Sequence, residues 1–291
     1  MKSNQKVTKD GFNLKDIALL LACFLILPLH SEEKRLRVVS LNGSLTEMIY
    51  ALGKEGVLVG ADTTSFYPEE AKNLPKVGYQ RSLSLEGILS LEPNLVVGTE
   101  EAGPPEILDR LRSMGVSVLI HKSSPSLAST VERIQWLGEL LDAKDTATRI
   151  SRRIQKNVNK ASNDLPWKEK PRILMLYSRG KNLVMVAGKE TSGSAIIELS
   201  GGENYIHEFT GYKTLTPELL LKKETKIILI TEHSLNSLGG VEELWKLPGF
   251  KNIPLPNRPK IVTMEDLLLL GFSTRLDQAV NELQIKIKNS L

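Results

Sequence analysis

The chain has 291 residues, enough for one large domain or two of ordinary size. Hydrophobic residues make up 41% and charged residues 25%, a balance that builds a core and excludes a disordered chain. The formal net charge is +4, and four of the lysines behind it stand before residue 16. The rest is close to neutral, and no basic run with interleaved aromatics follows residue 40, which argues against a nucleic-acid partner.

Residues 1–31 read as an export signal. Lys2, Lys6, Lys9 and Lys15 form a positive start, and Ile17 to Leu29 form an apolar run of about a dozen residues. That run falls short of the about 20 residues that span a bilayer. Leu20-Leu21-Ala22-Cys23 has the form of a lipoprotein box, with Cys23 as the lipidated residue. Cys23 is also the single cysteine, so the mature chain has no internal disulfide.

From Leu36 strands and helices alternate. Leu36–Leu41 reads as a strand, and Ser44–Ala51 as a helix with Ser44 as N-cap and Glu47 closing a capping box. Strands at Val57–Gly60, Leu95–Gly98 and Val116–Ile120 follow, with helices at Ser84–Leu91 and Ala102–Met114. Strands separated by helices imply a parallel sheet covered on both faces. Residues 32–142 are thus an N-terminal α/β lobe. Residues 143–165 read as one connecting helix, with Ile150, Ile154 and Val158 on its apolar face and Arg149, Arg152, Arg153, Lys156 and Lys160 around it. The alternation restarts after Pro166, so 166–291 is a C-terminal α/β lobe. The expected architecture is two Rossmann-like lobes joined by one long rigid helix, with a ligand cleft between them.

The two lobes repeat each other. Ser82–Leu89 aligns with Thr214–Leu221 at an offset of 132, and the register continues through Leu95-Val96-Val97 against Ile227-Ile228-Leu229. Glu86 and Glu218 occupy matching places, each at the start of a helix, where a carboxylate suits the helix dipole.

The loop Lys76-Val77-Gly78-Tyr79-Gln80-Arg81 precedes the first repeat, and Gly211-Tyr212-Lys213 precedes the second. In an extended loop, side chains two residues apart point the same way, so Tyr79 and Arg81 are expected to face one cavity. A phenol titrates near 10, and a neighbouring cation favours its ionised form. Phenolate is a hard donor suited to ferric iron, and tyrosine is among the axial ligands of haem. The competing reading is a surface tyrosine with its hydroxyl in water. The repeat places Tyr79 and Tyr212 at the same edge of their lobes, both at the cleft.

Leu41–Glu47, Lys76–Ser84, Glu101–Pro105, Gly211–Lys213 and Leu268–Gly271 together resemble the periplasmic haem-binding proteins of bacterial haem-uptake ABC transporters. Their wider group includes the vitamin B12 and ferric-siderophore binding proteins. The resemblance covers about residues 36–285. It implies an exported, periplasmic, monomeric protein that captures ferric haem and passes it to an ABC permease, with Cys23 as a lipid anchor in the alternative processing. Tyr79 would be the axial ligand of the haem iron, and Arg81 would hydrogen-bond its phenolate. Glu86 and Glu218 would dock the lobes onto permease arginines. Arg179, Tyr212 and His233 would border the haem, and His233 could complete six-coordination, bond a propionate or face water. A ferric siderophore or corrinoid is the alternative ligand. An α/β hydrolase-like enzyme is a distant one, because neither a G-x-S-x-G elbow nor an H-E-x-x-H pair is present.

Overall fold

The computed structural model describes residues 35–180, 183–221 and 225–291. The expected export signal, Cys23 included, lies outside them. The first lobe runs β1 (Val38–Ser40), α1 (Gly43–Ala51), β2 (Leu58–Ala61), β3 (Gly78–Tyr79), β4 (Ser82–Leu83), α2 (Leu85–Leu89), β5 (Leu95–Thr99), α3 (Pro105–Ser113) and β6 (Ser117–His121). Helices α4 (Leu127–Leu140) and α5 (Lys144–Asn163) follow. The second lobe runs β7 (Arg172–Ser178), β8 (Val184–Ala187), α6 (Ser192–Leu199), β9 (Glu203–Asn204), β10 (Tyr212–Thr214), α7 (Pro217–Leu221), β11 (Ile227–Thr231), α8 (Glu232–Leu238), α9 (Val241–Lys246), β12 (Lys260–Met264), α10 (Asp266–Leu270) and α11 (Leu276–Lys288).

Each lobe has its own sheet. The first has the order β2-β1-β5-β6, parallel throughout. Every residue of β5 is buried, as a strand covered on both faces requires. The second has the order β10-β8-β7-β11-β12, with β9 also paired to β7. It is mixed, not wholly parallel as the alternation implied. The chain turns back tightly at Gly180, which lies at φ +98°, and strands joined by a tight turn must run antiparallel.

Helix α5 is 20 residues long, about 30 Å of rod. Its buried face is Ile150, Ile154 and Val158, and these belong to one apolar cluster that includes Val38, Leu45 and Val97 of the first lobe and Ile173, Met175 and Leu229 of the second. The back faces of both sheets therefore share a core through α4, α5 and α11. The outer face of each sheet has a smaller cluster of its own. The repeat seen in sequence holds for whole elements: α2 and α7, and β5 and β11, are related by the same offset of 132.

One local expectation fails. The N-cap of α1 is Asn42, not Ser44: its Oδ1 accepts from Ser44 N at 2.9 Å and from Leu45 N at 3.4 Å. The Ser44 hydroxyl donates to the same oxygen at 2.6 Å and so supports the cap. Glu47, freed from any capping box, is buried and points to the other lobe.

Candidate functional site

Tyr79 is placed by a hairpin. β3 and β4 pair antiparallel with Tyr79 opposite Ser82, leaving Gln80 and Arg81 as the two-residue turn. Gly78 sits at φ +101°, and a Cβ there would lie 2.7 Å from the Ser82 carbonyl oxygen, so only glycine closes the hairpin. The backbone reverses between Tyr79 and Arg81, and the same-side rule for extended chain no longer applies. Arg81 instead forms an exposed ion pair with Glu101. Gln80 is buried beneath it, donating from Nε2 to Glu101 Oε2 at 2.9 Å and accepting from Asn42 Nδ2 at 2.9 Å. Arg81 is therefore not the cation beside the phenol.

That cation comes from the other lobe. Arg179 Nη2 donates to the Tyr79 hydroxyl at 3.1 Å, and its Nε reaches the Tyr177 hydroxyl at 3.4 Å. The guanidinium carbon lies 5.7 Å from the centroid of each ring. Hydrogen bonds to Tyr177 and then to Tyr79 hold the guanidinium above its ordinary value, against partial burial. The turn after β7 is pinned by α8. Ser234 Oγ accepts from Ser178 N at 3.1 Å, and Ser237 Oγ accepts from Gly180 N at 3.2 Å. Arg179 is thereby aimed across the cleft by a fixed backbone.

Tyr79, Tyr177, Arg179, Gly180, His233 and Ser237 line a cavity of about 500 Å³. His233 is in the first turn of α8, where Asp266 Oδ2 accepts its backbone N–H at 3.1 Å and Asp266 Oδ1 accepts from Thr231 Oγ1 at 2.7 Å. The cavity is thus lined by a phenol from the first lobe and by a guanidinium and an imidazole from the second. Sequence reasoning missed Ser237, although it stands four residues after His233 and so shares its helix face. Tyr212 does not line the cavity. Its ring packs against Tyr177 with centroids 5.8 Å apart, and its hydroxyl turns toward Gly193 and Thr191. Burial pushes that hydroxyl up to about 12, although the residue as a whole is 37% exposed. The offset explains the misplacement: Tyr79 corresponds to Gly211, not to Tyr212.

Glu86 and Glu218 are exposed, each the second residue of its helix. The Glu218 backbone N–H and the Thr216 hydroxyl lower the Glu218 carboxyl below its usual range. A smaller cavity of about 280 Å³ lies in the second lobe beside Lys189, Glu198 and His207. Its deeper polar groups are already bonded within the protein, Asn204 Nδ2 to the Ala187 carbonyl and Ser194 Oγ to Glu198. Among the described residues no cluster of three or more His, Cys, Asp or Glu side chains is placed to hold a bare metal ion. The donors facing the larger cavity are single groups. They suit an ion that arrives with most of its coordination already filled.

A family model described as periplasmic binding protein matches residues 38–266. The chain is similar to the periplasmic haem-binding protein RhuT of Roseiflexus sp. RS-1, solved in apo form. Identity is 37% and the TM-score 0.84, over 88% of this chain and 98% of that one. It is similar to the periplasmic haem-binding protein BhuT, solved with two haems, at 34% identity and a TM-score of 0.81 over 87% of this chain and 98% of that one. A vitamin B12-binding protein of Vibrio parahaemolyticus is 26% identical over 219 residues, 74% of this chain and 78% of the relative.

Proposed function

This chain belongs to the periplasmic binding protein family, and from that premise we propose that it is exported, captures ferric haem between its two lobes and delivers it to an ABC transporter permease. The observation that carries the reading is the Tyr79 hydroxyl on the cavity wall, 3.1 Å from the Arg179 guanidinium of the opposite lobe. The phenol is a hard oxygen donor for ferric iron, and Arg179 is the cation that stabilises the oxygen anion formed when the metal replaces the proton. A cavity of about 500 Å³ is in the range of small-ligand sites. Its aromatic walls suit a flat apolar macrocycle, and its guanidinium suits the macrocycle's carboxylates. Tyr79 is the axial ligand in this reading. His233 lines the same cavity, where it completes six-coordination, bonds a propionate or faces water, and Tyr212 acts from behind by packing Tyr177. The protein performs no chemistry on its cargo, works as a monomer, and is held at the membrane through Cys23 where the lipoprotein box is processed.

The test is an absorption titration of the purified protein with haemin and, in parallel, with cyanocobalamin. A saturable change at a stoichiometric ratio with haemin alone is expected. Saturation with cyanocobalamin alone would move the reading to a corrinoid carrier, for which the B12-binding relative is the precedent.

Glu86 and Glu218 are the docking acids in this reading, one exposed carboxylate per lobe at equivalent places. Rim charges govern orientation and encounter more than affinity for a buried ligand. Replacing both with glutamine is expected to leave haemin binding unchanged and to slow transport by reconstituted permease, most at low salt where screening is weakest. Normal transport at limiting binding protein would reduce both acids to helix-start residues.

A further inference from the structure

The apolar core shared through α4, α5 and α11 holds the lobes together, but apolar burial is non-directional and does not by itself fix one angle between them. A buried, directional polar attachment does, and the structure contains one at the turn between α10 and α11.

The first lobe grips this turn from two helices. On α1, Glu47 is 2% exposed, and its Oε1 accepts from the hydroxyls of Ser273 and of Thr274, the latter at 2.9 Å. Its Oε2 pairs with Arg275 Nη2 at 2.9 Å. On α4, Thr130 Oγ1 and Arg133 Nη2 both donate to the Phe272 carbonyl, at 3.1 and 2.7 Å. Arg133 is 3% exposed and pairs with no carboxylate among the described residues; its Nη1 goes to Ser44 Oγ at 3.3 Å. Burial pulls its guanidinium down to about 10, which still leaves it charged at neutral pH. Phe272 is buried at φ +50°, a conformation a phenylalanine holds only when its surroundings dictate it. Nothing here touches the cavity, so the contacts have no direct part in holding a ligand. They are nonetheless buried, polar and directional, and they cross from one lobe to the other.

We infer that Glu47 is a positioning residue for the cleft: by clasping Ser273, Thr274 and Arg275 it fixes the second lobe against the first and so sets the separation of Tyr79 from Arg179 and His233. The inference goes beyond the proposed function, because it concerns the ligand-free chain and holds whichever ligand the cleft takes. The apolar core shared through α4, α5 and α11 joins the lobes, and the clasp is the directional contact that a single side chain controls.

The experiment measures the distance between lobes without any ligand. Spin labels are placed at Glu106→Cys on α3 and Lys251→Cys in the second lobe, both exposed, in the full chain carrying Cys23→Ser. Pulsed electron resonance should give one narrow distance distribution. In Glu47→Gln, which keeps an oxygen for the hydroxyls but loses the charge for Arg275, the distribution should broaden about twofold, as loss of the charged tie between α1 and the turn before α11 would produce. The circular dichroism of the lobes should be unchanged. An unchanged distribution with intact circular dichroism overturns the inference. Should Glu47→Gln fail to fold, the double variant Ser273→Ala with Thr274→Val removes only the two hydroxyl donors. The same broadening is expected there, and an unchanged width overturns the inference equally.

Discussion

Tyr79→Ala is expected to abolish tight capture of ferric haem and with it the charge-transfer bands of a phenolate-bound iron. Changing a residue that merely supports a metal ligand costs about 10- to 100-fold in affinity, so losing the ligand itself should exceed about 100-fold. The structure makes the companion variants informative. Arg179 is the group hydrogen-bonded to the phenol, and its replacement by alanine removes a charge-assisted bond worth about 1.5–3 kcal/mol, or roughly 10- to 150-fold. Arg81 is engaged by Glu101 at the surface, and Arg81→Ala should change affinity little. Absorption titrations of the three variants should therefore rank Tyr79→Ala well below Arg179→Ala, and Arg179→Ala below Arg81→Ala. Wild-type affinity in Tyr79→Ala would remove the phenol from the site. A larger loss in Arg81→Ala than in Arg179→Ala would mean that the hairpin rearranges when haem enters.

The largest effect on stability is expected at Arg275. Its Nη2 lies 2.9 Å from Glu47 and 3.3 Å from Glu265, and its guanidinium carbon is stacked 3.4 Å from the centre of the Tyr67 ring. Arg275→Ala leaves the Glu47 carboxylate buried with only hydroxyl partners. Breaking a buried ion pair from one side costs about 3–5 kcal/mol, because the surviving charge has lost its compensation. Glu47→Ala should cost less, since Arg275 retains Glu265. Arg275→Lys keeps a charge but loses the planar fork and the stacking, and should fall between wild type and Arg275→Ala. Denaturant unfolding of the three variants reads the order directly. Equal stability of Arg275→Ala and wild type would show that the pair merely replaces hydration.

Much of the fold was legible because it is local. The apolar runs of β5 and β11, the spacing of Ile150, Ile154 and Val158, and the repeat between 82–89 and 214–221 are properties of neighbouring residues, and the structure keeps them. Tyr79, Arg179 and His233 line one cavity, and it was the resemblance, not any local pattern, that put Arg179 and His233 beside Tyr79. What escaped depends on chain reversals or distant partners. Arg81 was assigned to the cleft on the assumption of extended backbone, and a two-residue turn reverses it. Tyr212 was matched to Tyr79 by its place before a repeat, but it is displaced by one residue, so its hydroxyl turns inward. Glu47 has the spacing of a capping box, and its actual partner Arg275 is 228 residues away. No pattern within a window of the sequence contains that contact.

The shared core has a consequence for dissection of the chain. The helix–strand units α2–β5 and α7–β11 match, yet neither half is self-sufficient. The back face of each sheet is closed by helices whose apolar residues belong to one cluster with those of the other half. A cut at α5 would part Val38, Leu45 and Val97 from Ile173, Met175 and Leu229, and each fragment would carry an apolar face that only the other fragment covers. The cleft is therefore not a gap between two separable bodies but an opening in one.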